Sequence, residues 1–329
     1  MTYLVAYYVI LPWMALKRST IQVQYENRST IQVQCDSSKY VTLCSNRLSG
    51  NHRLGNHLFM FAAMLFIADV TGREVAMPKD GWFLDKELDI DNIIRVDDRK
   101  DLCPCRRLPL SIYNYNPIFD NATEVSRLMT DSHCTLELCD LAQTYRYASA
   151  VELPLRKVLR FRPETVEKAI LFMSSVQQRK PDGGGSDWFS VGVHVRRGDF
   201  LLKREADFGL TVVDKSYLRH AFEFFTSRNT RVQFIVATDD WKWTSTNIPT
   251  VDNAKARITH TGNNTAGVDL AILSMCDAIV VSTGSFGWWA AWLANKTTVY
   301  YENWPRPNSK LSSLQDKAGY FPRHWIPMT

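Results

Sequence analysis

The sequence predicts an α/β protein of two facing parallel-sheet domains with a ligand cleft between them. Three observations predict this. From Tyr40 onward, short apolar runs of strand length alternate with segments of helical period. The alternation breaks once, at Lys180 to Asp187, where Pro181 and three consecutive glycines mark a linker. Beyond it the same alternation returns, so the chain divides into residues 40–180 and 186–329, two Rossmann-like halves. In such sheets ligands bind at the carboxyl ends of the strands, which places the expected site in the cleft.

The chain opens with an apolar run from Tyr3 to Leu16, interrupted by Pro12 and closed by Lys17 and Arg18. The run is shorter than the roughly 18–20 residues of a spanning helix. Residues 1–17 therefore read as a signal-anchor or a signal peptide. Bases after the run disfavour a lumenal C-terminus. Four Asn-x-Ser/Thr sequons, at Asn27, Asn121, Asn263 and Asn295, favour the lumen and are the glycosylation candidates. Of the seven cysteines, Cys35, Cys44, Cys103, Cys105, Cys134 and Cys139 are expected to form up to three disulfides, leaving Cys276 as a free core thiol. Residues 18–39 read as a stem; within them Arg-Ser-Thr-Ile-Gln-Val-Gln occurs twice, too few copies for a solenoid.

In the first half, Tyr40 to Leu43 reads as a strand and Ser49 to Asn56 as a polar loop. A helix follows, with Leu58, Phe59, Ala62, Leu65, Phe66 and Val70 at helical spacing, stopped by Gly72, and Val75 to Met77 is the next strand. In the second half the expected strands are Phe189 to Val195, Val232 to Val236, Ala278 to Val281 and, last, Thr298 to Tyr301. The expected helices are one capped by Ser216 and running to Phe225, one opened by Asp269 and running to Met275, and Phe286 to Leu293. A net charge of +5, with no run of five bases, gives no sign of nucleic-acid binding, and no nucleic-acid partner is expected.

Two segments carry chemistry. In Val191-Gly-Val-His-Val-Arg-Arg-Gly-Asp199 the strand ends at Val195, so Arg196 and Arg197 emerge at its carboxyl end. Guanidinium groups grip phosphate oxygens with forked, permanently charged donors. His194 offers a ring nitrogen to a base or ribose. The structural alternative is an arginine pair held by Asp199 or Glu205. The second segment runs from Asp269 to Trp292: a helix, a buried strand, the small-residue turn Ser282 to Ser285, then a helix whose N-terminus favours anions. Asp269 is either a helix cap or an acceptor for the two donors of a guanine edge. Trp288, Trp289 and Trp292 lie at helical spacing, which favours packing over ligand contact. The triplet Arg197-Gly198-Asp199 matches an integrin-binding motif, a coincidence inside a strand-to-loop element.

His-Val-Arg-Arg-Gly-Asp, followed by Asp-x-x-x-Leu-Ser-x-Cys and Ser-x-Phe-Gly-Trp-Trp-Ala-Ala-Trp-Leu, resembles the α-1,2-fucosyltransferase family. Arg53-Leu54-Gly55-Asn56 is similar to that family's Gly-Arg-Leu-Gly-Asn-Gln element, with His52 and His57 at its glycine and glutamine positions. The resemblance covers residue 40 to the C-terminus. It implies a GT-B-type fold and inverting transfer of fucose from GDP-fucose to the 2-hydroxyl of a terminal galactose on a glycoprotein or glycolipid. By similarity to related α-1,6-fucosyltransferases, Arg196 holds the diphosphate, His194 and Asp269 the guanosine, and Ser285 a phosphate oxygen, with Arg197 and Phe286 in the same donor site. Arg53 and Asn56 face the acceptor side. Asp199, Glu205 and Asp207 are candidates for the base that receives the acceptor proton, Asp199 being preferred. The implied location is the Golgi membrane, as a single-pass type II protein with a lumenal catalytic body.

No metal cofactor is expected, because arginines and a helix end supply the charge a diphosphate leaving group needs. The rival metal reading uses Asp89-Ile90-Asp91, which mimics the Asp-x-Asp site of other glycosyltransferases. Protein O-fucosylation, α-1,6 transfer and a lectin without turnover are the remaining alternatives.

Overall fold

The computed structural model describes residues 40–48, 53–79, 82–90, 93–97, 102, 104–108, 135–139, 141–178, 188–251, 254–315 and 317–329, all within one compact unit. The N-terminal apolar run, the stem, the glycine-rich linker, Asn27, Asn121, Asp91 and His52 lie outside the described residues.

The first sheet contains β1 (Tyr40–Leu43), β2 (Glu74–Pro78), β3 (Ile94–Val96), β4 (Pro104–Leu108) and β5 (Thr135–Leu138). All its pairings are parallel, in the order β3-β2-β1-β5-β4. Helix α1 (Leu54–Thr71) connects β1 to β2 and ends at Gly72, whose φ of 63° supplies the left-handed cap. This helix is long and apolar enough to cross a membrane, yet 78% of that window is buried inside the protein. It is a core helix.

The second sheet contains β6 (Phe189–Val195), β7 (Val232–Thr238), β8 (Ala256–His260), β9 (Ala278–Val281), β10 (Thr297–Tyr301) and β11 (Ile326–Met328), again all parallel. Their order is β8-β7-β6-β9-β10-β11. Counted within the sheet, that is the 3-2-1-4-5-6 order of a dinucleotide-binding fold, which reverses direction between β6 and β9. Val191, Val193 and Val195 on one face are fully buried, and Ser190 and His194 on the other are buried too, as a parallel strand covered on both faces requires. Gly192 is forced by packing: a Cβ there would stand 2.9 Å from Ile279 Cδ1 and 3.0 Å from Leu273 Cδ2. The expected GT-B arrangement, two parallel-sheet halves facing across a cleft, is the one observed.

Several boundaries differ from expectation. Helix α2 (Pro163–Gln178), placed by sequence in the first half, packs against α3 (Ala266–Ser274) of the second. Strands β8 and β11 carry no clean apolar run and are not legible in the sequence, so Tyr301 does not end the sheet. Helix α3 is capped by Thr265, not opened by Asp269, and the helix Lys215–Thr226 is capped by Asp214, not Ser216. In both cases the true cap accepts from the backbone N–H three residues on. Gly55 and Asn56, assigned to a loop, belong to the first turn of α1.

The two halves share an aromatic core. Phe59 of α1 packs on Trp288 and Trp289 of helix α4 (Ser285–Ala294), with ring centroids 4.5 and 5.2 Å apart, and Trp288 Nε1 donates to the Tyr320 carbonyl at 2.8 Å. Burial of rings this size stabilises by about 1.5–3 kcal/mol each. The packing reading of these tryptophans therefore holds. Trp292 is also buried, under the Arg156 guanidinium at 4.1 Å. Cys44 and Cys139 form a disulfide and Cys276 is a buried free thiol.

Candidate functional site

The order reversal between β6 and β9 brings the residues just past both strands side by side. Arg196 N donates to Ser282 Oγ at 2.9 Å, and Ser282 N donates to the His194 carbonyl at 3.2 Å. The arginine segment and the small-residue turn are one local structure, although 86 residues apart in sequence. Above them lies a cavity of about 540 Å³. Its lining includes His194, Arg196, Asp199, Glu205, Asp269, Ser285 and Phe286 from the second half, with Arg53 and Asn56 from the first.

Arg196 is the centre of the site. Nη1 donates to Asp239 Oδ2 and Nη2 to Asp199 Oδ1, and its guanidinium stands 5.0 Å from the Phe200 ring. Arg53 reaches the same two carboxylates at 3.9 Å from the opposite half. Burial lowers the Arg196 pKa, opposed by Asp239 and Asp199 and reinforced by Arg53. A guanidinium has five N–H donors, so donors beyond the two taken by these carboxylates remain for a ligand.

Arg197, expected in the donor site, is not in the lining. Its backbone turns at the strand end, and the side chain leaves the cleft to stack 3.9 Å over Trp243. Nε donates to Asp240 at 3.2 Å and Nη1 to the Val213 carbonyl at 3.4 Å. The salt-bridge alternative therefore holds in part for both arginines: Arg196 pairs with Asp199, as that reading named, and Arg197 pairs with Asp240 rather than Asp199 or Glu205. Asp207 is likewise outside the lining, paired with Lys203 at 2.6 Å.

His194 is buried, its Nδ1 3.4 Å from Ser282 Oγ and its ring 5.1 Å from that of Phe286. Burial and then Arg196 lower its pKa to about 3, so it meets a ligand as a neutral imidazole. Gly287 makes room for the ring, since a Cβ there would lie 2.5 Å from Nδ1. Asp269 Oδ1 accepts from Asn264 Nδ2 at 3.0 Å. Burial raises its pKa, partly offset by hydrogen bonds from Asn264 and Thr261. With Thr265 as the cap, Asp269 does not close the helix, and it lines the cavity while still accepting from Asn264.

Ser285 opens α4 and donates to Asn56 Oδ1 at 2.7 Å, an oxygen that also accepts from Gln143 Nε2 at 2.7 Å. A Cβ at Gly55 would stand 2.6 Å from the Ser285 carbonyl carbon, so α1 and α4 meet at their N-terminal ends. Two helix dipoles then point positive ends at the same space. Glu205 lines the cavity beside Phe208 and Leu210, held by Arg204 Nε at 2.7 Å.

Among the described residues, the cluster at metal-ligand spacing is Cys44, Glu137 and Cys139, which contains the disulfide and lies outside the cavity lining. Asp89 is outside the cavity lining, 3.7 Å from Arg160, in the short strand pair Leu88–Asp89 and Arg160–Phe161. Asn263 and Asn295 are both exposed, Asn263 beside the cavity-lining Asn264 and Asn295 as the left-handed cap of α4. The sequence reading missed Asp239, Phe200, Phe83 and Gln143. Asp239 had a usable signal: it directly follows a buried strand at its carboxyl end, the argument that selected Arg196.

The family model described as Glycosyl transferase family 11 matches residues 164–329. The galactoside alpha-(1,2)-fucosyltransferase 1 of Mus musculus is 27% identical over 288 residues, covering 83% of this chain and 70% of the relative. Its namesake in Homo sapiens is 27% identical over 290 residues, covering 84% and 73%. Among solved structures, POFUT1 in complex with GDP-fucose aligns with a TM-score of 0.55 at 11% identity, over 80% of this chain and 98% of that one. The NodZ alpha-1,6-fucosyltransferase soaked with GDP-fucose aligns with a TM-score of 0.50 at 15% identity, over 78% and 92%. At these identities the structures speak for the fold alone. The motifs around Arg196 and Ser285, both inside the matched segment, carry the assignment: the chain belongs to glycosyltransferase family 11.

Proposed function

We propose that the protein is a galactoside 2-alpha-L-fucosyltransferase that moves L-fucose from GDP-fucose to the 2-hydroxyl of a terminal β-galactose. The observation that carries this reading is the convergence of Arg196, the Ser285 helix end, neutral His194 and the half-buried carboxylate of Asp269 on one cavity. Those groups match, in kind, a diphosphate followed by a guanosine, and the relatives named for the reaction span most of the chain. On this reading Asp269 accepts from the guanine edge, while Arg196 and the ends of α1 and α4 hold the diphosphate. The second half, with α2 added to it, holds the donor, and Arg53 and Asn56 face the acceptor.

The reaction needs one bond made and one broken. The acceptor oxygen attacks the fucose anomeric carbon from the face opposite GDP, the bond to the β-phosphate oxygen breaks, and configuration inverts. Charge growing on the diphosphate is met by fixed cations and helix dipoles, which makes a divalent metal unnecessary. The acceptor proton goes to a carboxylate. Asp207 lies outside the cavity; of the two carboxylates that line it, Asp199 is held by the buried Arg196 and Glu205 only by the solvent-exposed Arg204, so Glu205 is the better base, a change from the sequence preference for Asp199. A lumenal Golgi setting, with the apolar N-terminus as membrane anchor and glycans on its sequons, belongs to the same proposal.

Incubation with GDP-fucose and a β-galactoside should release GDP and form an α-1,2 bond. Turnover with a polypeptide or core chitobiose acceptor, and none with the galactoside, would replace the acceptor assignment. GDP release without any acceptor product would leave a hydrolase.

A further inference from the structure

The turn that carries the nucleobase-reading carboxylate is held from the opposite half of the molecule. Glu87 follows the short helix Phe83–Lys86 of the first half, and its Oε2 accepts from Gly267 N at 2.9 Å and from Thr265 Oγ1 at 3.2 Å. The donors are the cap and the first turn of α3, where Ala266 and Asp269 line the cavity. The approach is close: a Cβ on Gly267 would run into Glu87 Oε2, and its nearest neighbours are all Glu87 atoms. Just upstream, Asn264 is tied to Thr261 O at 2.8 Å and to Asp269 Oδ1 at 3.0 Å. The bonds form a chain: Glu87 fixes Thr265 and Gly267, these fix the start of α3, and the turn fixes the orientation of Asp269. A carboxylate is well suited here, because free backbone N–H groups and the positive end of the dipole face it.

We infer that Glu87 is a positioning residue for base selectivity, holding Asp269 at the angle at which it accepts from two adjacent donors of a purine. The inference rests on the reading of Asp269 given above. Glu87 is not in the cavity lining and touches no ligand space itself. Its effect passes through the turn, so the first half contributes to donor recognition as well as to the acceptor side.

The test compares guanosine diphosphate with inosine diphosphate, which lacks the exocyclic amino group, by calorimetry on the full chain. Wild type should prefer the guanine compound, and Asp269→Asn should bring that preference close to one. Glu87→Ala should do the same, with roughly a ten- to hundredfold loss of guanosine diphosphate affinity for the lost charge-assisted contacts. Glu87→Gln keeps an acceptor oxygen and should restore most of the selectivity. A merely structural contact between the halves would weaken both nucleotides equally and leave their ratio as in wild type. If Asp269→Asn loses the preference while Glu87→Ala retains it, the positioning role is wrong and the reading of Asp269 stands. If Asp269→Asn retains it, the base assignment falls and the role of Glu87 with it.

Discussion

Arg196 and Arg197 are neighbours in sequence with the same side chain, and they occupy opposite environments. Arg196 faces the cavity between Asp199 and Asp239, under Arg53 from the other half. Arg197 lies outside the cavity lining and is comparably buried, stacked on Trp243 and tied to Asp240 and the Val213 carbonyl. Alternation along an extended backbone sends successive side chains to opposite faces, and the sheet edge then decides what each face meets. One arginine is left with donors for a ligand, while the other fastens the helix Trp241–Asn247 to the sheet. On the proposed reading, this Arg-Arg pair is one binding group and one fastener.

The larger comparison, between the halves, follows the same logic. The second half presents most of the charged and hydrogen-bonding groups of the cavity at the carboxyl edge of its sheet, where the strand order reverses, and the first half adds Arg53, Asn56 and Gln143. The first half contributes few side chains to the lining but grips the helices of the second. Asn56 takes the Ser285 hydroxyl, and Arg156 donates to the Trp292 and Leu293 carbonyls at 2.7 and 3.3 Å. Helix α4 is thus held at both ends from across the cleft.

The sharpest way to break this division is to remove the proposed proton acceptor. Glu205→Gln should lower kcat by about 10²–10⁴-fold with little change in donor KM, the range for loss of a general base. An unchanged kcat would return Asp199 to consideration. Next comes the arginine pair. Arg196→Lys should cost about 1.5–3 kcal/mol of transition-state stabilisation, or roughly 10- to 150-fold in kcat/KM, because a single ammonium cannot reproduce the fork. Arg197→Lys should leave turnover within about threefold and lower thermal stability instead, since its stacked and bonded guanidinium is fold-bearing. Equal kinetic losses in the two variants would erase the distinction drawn above.

A smaller effect is expected from pH. The folded pKa of His194, about 3, lies below its ordinary 6.5, so between those values the unfolded chain binds the extra proton. The stability that depends on its neutral burial is complete above pH 6.5 and declines as pH falls toward 3, by about 2 kcal/mol at pH 5. Denaturant midpoints of wild type and His194→Asn at pH 7 and pH 5 check the sign: the variant should lose less on acidification. The smallest effect is the predicted absence of one. Activity should persist in excess EDTA, and Asp89→Ala should change it little, because Asp89 pairs with Arg160 outside the cavity lining. Loss of turnover in EDTA that manganese restores would overturn the metal-free mechanism.

The sequence by itself determined the elements whose information is local. Buried parallel strands need continuous apolar runs, so Tyr40–Leu43, Phe189–Val195 and Ala278–Val281 were readable to the residue. The motif residues His194, Arg196, Asp269 and Ser285 were readable too, because each stands at a strand end or in a helix's first turn. Tertiary structure decided the rest. Edge strands such as β8 and β11 pack on one side and leave no continuous apolar signature. Caps are chosen by geometry, so Thr265 and Asp214 displaced the equally plausible Asp269 and Ser216. Which of two adjacent arginines faces a ligand, and that Asp239, Asn56 and Glu87 come to the same cleft from 42, 229 and 180 residues away from Arg197, Ser285 and Gly267, depends on how the sheets are ordered and how the halves meet. Such long-range placements arise from the packing of whole elements, which no single segment encodes.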